Sequence, residues 1–294
     1  HCLASCIIVG SLAITPSVFF AADADETSLR KAVSLYASFD GELRLDVGTG
    51  DAIPGTRSVD SADKKKLVFE KGFDPKYFRI AKGKGIAGNC LECVDLPPRN
   101  GRLYFPAKGN VAYPKDGSWG GAFSVWVNTD PNKQLKTPFC DPVLITQKGL
   151  NNGSIWVHFN DAKPRALQSG TYPSIPTGQE PVPEDDPKAP LIRLKDVAFK
   201  QGEWHHIVLS WDRCNTGRKD GTHTLYVDGK KIGELQAYEV GMDWDIEQTR
   251  VYFAVNMVGL LDELAVFSRP LTAKEVELLH KKPGVLQPLK NPRR

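Results

Sequence analysis

Apolar and polar residues alternate with period two along most of this chain, in short runs cut by Gly, Pro, Asn and Asp. Successive side chains of a strand point to opposite faces, so such alternation marks strands with one buried face. Residues 121–128 alternate cleanly, with Phe123, Val125 and Val127 on one face and Ser124, Trp126 and Asn128 on the other. Residues 154–160 repeat the design, setting Ile155, Val157 and Phe159 against Ser154, Trp156, His158 and Asn160. Further runs occupy 33–39, 102–106, 143–147, 204–212, 222–235, 250–257 and 260–267. Asp228-Gly229 interrupts one of them with the dipeptide of a tight hairpin turn, and Asn152-Gly153 gives a similar signal. Runs spaced this way predict an all-β, two-sheet antiparallel sandwich. One short C-terminal helix is expected. Thr272-Ala273-Lys274-Glu275 is a capping box, Val276, Leu278 and Leu279 follow it, and Pro283-Gly284 stops it.

Two stretches break the rhythm. Residues 64–84 are mixed and charged, and 162–190 are Pro-rich with the acidic run Glu184-Asp185-Asp186. The second reads as an insertion, either a loop reaching over a binding face or a surface decoration. The pattern otherwise reads as one domain over 33–282, followed by a basic tail over 283–294.

Composition narrows the class. Of 294 residues, 25% are charged and 41% hydrophobic, which excludes a largely disordered chain, a collagen and a polytopic membrane protein. A net charge of +3 is too small to imply a nucleic-acid partner. An apolar stretch over 6–14, followed by Ala22-Asp23-Ala24, predicts a secretory signal peptide over 1–24, ahead of an N-terminal segment at 25–32. The mature chain would then be secreted or sit in the cell envelope or periplasm, with no membrane span. Four cysteines remain beyond the leader: Cys90, Cys93, Cys140 and Cys214. An even count in an exported chain suggests disulfides. Of the three pairings, Cys90–Cys93 with Cys140–Cys214 is the expectation, and four free, partly buried thiols are the alternative.

The polar faces of the two best strands carry the first candidate chemistry. Sugars stack their C–H faces on flat aromatic rings, while Asn, His and Ser fix hydroxyls. If the two strands share a sheet, Trp126, Asn128, Trp156, His158 and Asn160 form one glycan-binding patch, which Tyr252 and Asn256 could join. The alternative is that Trp126 lies beneath a covering segment as a structural residue. His205 and His206 are adjacent on a strand, point to opposite faces and cannot readily share a metal ion.

Five motifs resemble one family in their order. They are Ser38-Phe39-Asp40-Gly41, Gly121-Ala122-Phe123-Ser124-Val125-Trp126-Val127, Gly202-Glu203-Trp204-His205-His206, Leu225-Tyr226-Val227-Asp228-Gly229-Lys230, and a closing run from Gly259 through Asp262-Glu263 to Thr272. Together they resemble LamG-like jelly-roll domains of the concanavalin A-like lectin/glucanase superfamily. The resemblance implies two stacked antiparallel sheets, one of them concave. It also implies a structural Ca²⁺ held by Asp40 and Asp262 with backbone carbonyls, an oxygen set that this ion favours. Fold alone does not give function, and the superfamily includes glycan-binding modules, protein-interaction modules and glycoside hydrolases. Asp243-Trp244-Asp245-Ile246-Glu247 resembles the acidic strand of the laminarinase-like hydrolases. A retaining pair needs carboxyl groups about 5–5.5 Å apart, and the shorter Asp243 and the late position in the chain speak against it. The favoured reading is an exported, non-catalytic module recognising a carbohydrate or glycosylated surface on the concave face. A protein-interaction or adhesion module comes second and a hydrolase third.

Overall fold

The computed structural model describes residues 18–114 and 116–290, with side chains from residue 24 onward. The signal peptide expected over 1–24 lies mostly outside the described residues. Strands are numbered along the chain and fall into two antiparallel sheets. Sheet I contains β1 (Val33–Ala37), β4 (Phe78–Gly85), β5 (Gly88–Cys93), β7 (Trp119–Asn128), β12 (His205–Cys214), β13 (Gly221–Val227), β14 (Lys230–Tyr238) and β16 (Gly259–Phe267). Its order is β14-β13-β12-β7-β16-β5-β4, with β1 also paired to β16. Sheet II contains β2 (Gly55–Val59), β3 (Leu67–Lys71), β6 (Arg102–Pro106), β8 (Cys140–Thr146), β9 (Ser154–Phe159), β10 (Leu167–Tyr172), β11 (Leu191–Leu194) and β15 (Arg250–Val255). Its order is β11-β10-β9-β8-β15-β6-β2-β3.

The apolar parity read from the sequence is the parity that faces inward. Phe123, Val125 and Val127 of β7 meet Ile155, Val157 and Phe159 of β9 in one core between the sheets. A one-residue slip would turn every one of these side chains to solvent, so this burial fixes the register. The hairpin at Asp228-Gly229 forms as expected, with both residues at positive φ (50° and 75°), the geometry of a two-residue turn that matches strand twist.

The outer face of sheet I is covered, and two helices cover it. The expected helix is α2 (Ala273–Lys281), and its capping box is complete: Glu275 N donates to Thr272 Oγ1, and Thr272 N to the Glu275 carboxylate. The second helix, α1 (Val18–Ala32), was not foreseen and corrects the expectation of a single helix. Leu29 and Ala32 of α1, Val276 and Leu279 of α2, and Val285 and Leu286 beyond it pack on Val208, Ala265 and Phe267 of the sheet. Asp25 pairs with Lys274, and Glu26 with Lys282.

Three other expectations are corrected. The charged stretch at 64–84 contains β3 and most of β4. The stretch at 162–190 contains β10, so only 173–190, between β10 and β11, is an irregular connection. The four cysteines are free and buried, so neither expected disulfide forms. Cys90 and Cys93 are three residues apart on β5 and face opposite sides of the sheet, Cys93 inward to the core. Burial pushes the Cys90 thiol up to about 12 and raises Cys93, Cys140 and Cys214 as well.

Candidate functional site

The strands that carry the two tryptophans do not share a sheet. Strand β7 sits in sheet I and β9 in sheet II, so Trp126 and Asn128 lie on one outer surface of the sandwich and Trp156, His158 and Asn160 on the other. The single patch expected from sequence is therefore split. Trp126 is buried beneath α2, stacked on His206 (4.7 Å between ring centroids) and His280 (5.5 Å). His206 bonds Ser124 Oγ at 2.8 Å, and burial, with His280 beside it, pushes its pKa down to about 3. Asn128 accepts Gly202 N at 2.8 Å and is a buried loop anchor. The neighbouring His205 takes different partners, stacking on Phe199 and bonding Asp228.

Among the described residues no helix lies over the outer face of sheet II, and register lines up one residue from each of its eight strands. Register places Leu191, Gly170, Trp156, Leu144, Tyr252, Tyr104, Gly55 and Lys71 side by side. Glycines make room for rings here. A Cβ on Gly170 would stand 2.6 Å from the Trp156 ring, and one on Gly55 would stand 2.5 Å from the Tyr104 ring. Each ring lies flat over the glycine of the next strand.

The 173–190 connection crosses this face and closes over Trp156, which is fully buried against Tyr172, His158 and Leu144. Trp156 is thus a support for the site, not a stacking platform open to a sugar. His158 is also fully buried, stacked on Trp156 at 4.1 Å. Burial alone would lower its pKa. The carboxylates of Asp141 (3.5 Å) and Glu184 (3.1 Å) outweigh that and raise it to about 9. The ring lies 3.1 Å from the Glu184 carboxylate and so ties the connection to β9.

Above this base a cavity of about 450 Å³ opens, lined among others by Phe139, Asn151, Asn160, Gln168, Glu184 and Arg193. Phe139 is 40% exposed. Asn160 is the one residue of the expected patch that reaches this space. Arg193 and Phe139 were missed, because nothing local distinguishes a strand arginine or a loop phenylalanine. A second cavity, of about 610 Å³, lies at the far end of the same sheet against Tyr104, Ile53 and Arg250.

The acidic run at 243–247 is loop, not strand. Asp243 is held by Lys148 (2.8 Å) and Glu247 by Lys108 (2.6 Å), while Trp244 joins the core. The two carboxylates serve separate ion pairs.

Asp40 and Asp262 do come close, beside the interior strand β16 of sheet I. A bulge at Glu263 (φ 51°) turns both Asp262 and Glu263 outward, since Leu261 and Leu264 on either side face the core. Asp40 Oδ1 accepts Asn89 N, and Asp262 Oδ2 accepts Ala87 N. Burial, with Glu263 beside it, lifts Asp262 to about 8, and burial lifts Glu263 to about 7. Gln287 Nε2 lies 3.0 Å from Asp40 Oδ2, 2.8 Å from Ala87 O and 3.4 Å from Glu263 Oε1. An amide nitrogen thus stands where three oxygens converge, a donor set suited to a hard cation. Lys290 also pairs with Asp40. Among the described residues no group of three or more His, Cys, Asp or Glu side chains is arranged to hold a metal ion. A cation here would draw part of its shell from carbonyls and water.

Comparison with known proteins agrees with this architecture. The sequence profile of the concanavalin A-like lectin/glucanases superfamily matches residues 107–277. No curated protein matches the sequence. Domain 4 of AbnA, an extracellular arabinanase from Geobacillus stearothermophilus solved with arabinotriose, is similar in fold (TM-score 0.51, 16% identity), over 84% of this chain and 98% of that one. The binding domain of botulinum neurotoxin serotype D is also similar (TM-score 0.51, 10% identity), over 87% of this chain. This chain spans only about half, 52%, of that domain. With the profile matched over more than half its length and the two-sheet sandwich in place, the chain belongs to the concanavalin A-like lectin/glucanase superfamily.

Proposed function

We propose that the chain is an exported, non-catalytic carbohydrate-recognition module that binds its ligand on the outer face of sheet II. The observation that carries this is the cavity between Phe139 and Arg193. Amides from Asn151, Asn160 and Gln168, a guanidinium and a carboxylate line it together with the exposed ring of Phe139. A few placed polar groups around an apolar surface are the usual lining of a small-ligand site. The buried His158 ion pair with Glu184 holds one wall in place. Export rests on the leader-like pattern of residues 1–24. Among the described residues no helix is long and apolar enough to cross a membrane. The proposal includes one structural Ca²⁺ at Asp40 and Asp262, completed by the Ala87 carbonyl once Gln287 and Lys290 move aside.

The test is a glycan-array screen of the folded chain, starting with arabino-oligosaccharides of the size bound by the arabinanase domain. Phe139→Ala and Arg193→Ala are each expected to weaken binding roughly tenfold, about 1.4 kcal/mol, with unchanged circular dichroism. Unchanged binding in both variants would refute this site. No glycan binding by a folded chain would transfer the reading to a protein partner.

A further inference from the structure

Arg57, Arg102 and Arg250 stand together on the outer face of sheet II, at the end away from the 173–190 connection. Arg57 of β2 is directly opposite Arg102 of β6. Arg250 of β15 lies over two rings, its Cζ 5.5 Å from the centroid of Phe69 and 5.4 Å from that of Tyr104. Like charges directly across a ladder are destabilising unless something opposes them. Among the described residues, none of the three arginines has a carboxylate partner. Arg102 Nε reaches only Asn100 Oδ1, at 3.3 Å, and Arg250 Nη1 donates to the carbonyls of Glu247 and Thr249. Arg57 Nη1 and Arg250 Nε are buried with no hydrogen-bond partner. Burial, and Arg102 beside it, lower the pKa of Arg57. The lysines of the neighbouring cavity contrast with them, since Lys71 is neutralised by Asp51 (3.1 Å) and Lys108 by Glu247 (2.6 Å).

Native structures rarely leave buried donors unpaired, and an unpaired cationic donor lacks an anion in particular. The aromatic surface beside the guanidiniums says what kind of anion. Phe69 is 46% exposed and meets Tyr104 edge to face, with ring centroids 5.6 Å apart. Flat rings next to a guanidinium fork suit a pyranose that carries a carboxylate or sulfate: the ring faces take its C–H surface, and the fork takes two anionic oxygens.

We propose that this end of sheet II binds an acidic saccharide, with Arg57 and Arg102 receiving its carboxylate or sulfate and Phe69 and Tyr104 receiving its ring. The inference rests on the carbohydrate reading and names its ligand class. It places this subsite on the same face as the Phe139–Arg193 cavity, so one extended chain of sugars can run from one to the other.

The experiment is affinity electrophoresis and calorimetry of the full chain with polygalacturonate, dextran sulfate and a neutral arabino-oligosaccharide. The variants are Arg57→Gln with Arg102→Gln together, and Arg57→Lys. The expected result is preferential binding of polygalacturonate or dextran sulfate, with the tighter of the two identifying the anion. Binding weakens at least about thirtyfold in the double variant and recovers partly in Arg57→Lys, with thermal melts unchanged in each. Equal affinity for neutral and acidic sugars, or acidic binding that survives the double variant, overturns the inference. The carbohydrate reading stands in that case if binding still depends on Phe139 and Arg193. Binding of poly-glutamate as tightly as the acidic glycans, through the same arginines, overturns the assignment to a sugar. A folded chain that binds none of the glycans overturns both.

Discussion

His158 lies where water is excluded, and two carboxylates favour its charged form. Its neighbours are Asp141 on β8, Glu184 on the 173–190 connection, Gln168 on β10, and the rings of Trp156 and Phe139; Arg193 on β11 acts through Glu184. Its pKa is raised to about 9 in the folded chain, against about 6.5 when unfolded. The folded state therefore binds the proton more tightly. The stabilisation is complete below about pH 6.5 and disappears as the pH rises through 9. The shift corresponds to on the order of 3 kcal/mol. Urea denaturation at pH 6 and pH 9.5 should show a loss larger in the wild-type chain than in His158→Gln by about that amount, since Asp262 and Glu263 titrate over the same range in both chains, and His158→Gln should be less stable at pH 6. An equal slope in both chains would mean that His158 is neutral when folded. The 173–190 connection should also become easier to cleave by protease at the higher pH, because the proton holds Glu184 to the sheet.

At the level of elements, the glycines of sheet II leave room for the rings of the next strand on its outer face. Gly170→Ala puts a methyl 2.6 Å from the fully buried Trp156 ring. Overpacking of this kind costs about 1–3 kcal/mol. The cost should appear as a lower thermal midpoint together with weaker glycan binding, because Trp156 underlies the cavity. An unchanged midpoint would mean that the ring can tilt. The sequence exposed the elements unevenly, and for physical reasons. Strands β7, β9, β12, β13 and β16 bury one face in the core and so alternate visibly, and α2 announces itself by its cap. Strands β3 and β4 lie toward the ends of their sheets and are largely exposed. Leu67–Lys71 has no face to bury, and Phe78–Gly85 buries Phe78 and Ala81, three positions apart, so neither run alternates with period two. Helix α1 follows a leader-like stretch, and from residue 24 onward it contributes Leu29 and Ala32 to the packing against sheet I, too few to set a period.

The whole sandwich decides which polar face can function. Ser124-Val125-Trp126 and Ser154-Ile155-Trp156 are almost the same local pattern, yet one tryptophan is capped by α2 and the other lies under 173–190 on the opposite side. Alternation tells which side of a strand is polar, but sheet membership depends on long-range pairing that no local pattern carries. The fold was therefore legible, while the site was legible only at Asn160. The pairing of Asp40 with Asp262 is the reverse case. The two are 222 positions apart by their numbering, and the family motifs brought them together on paper before the β16 bulge did so in space. Calcium bound there would link β16, the Phe39–Asp40 turn and the Ala87–Asn89 segment, so its effect belongs to the stability of the whole chain. Binding only to the folded state at 100 times Kd contributes about 2.7 kcal/mol, which moves the midpoint of a domain this size by about 5–10 °C. Thermal melts in EDTA and in millimolar Ca²⁺ should differ by that amount. Asp40→Asn should abolish the difference. Lys290→Met, which removes the competing ammonium, should lower the Ca²⁺ concentration at half effect. Melts that coincide in EDTA and Ca²⁺, together with a lower midpoint for Lys290→Met in both, would instead make Lys290 the permanent counter-ion of Asp40 and remove calcium from the molecule.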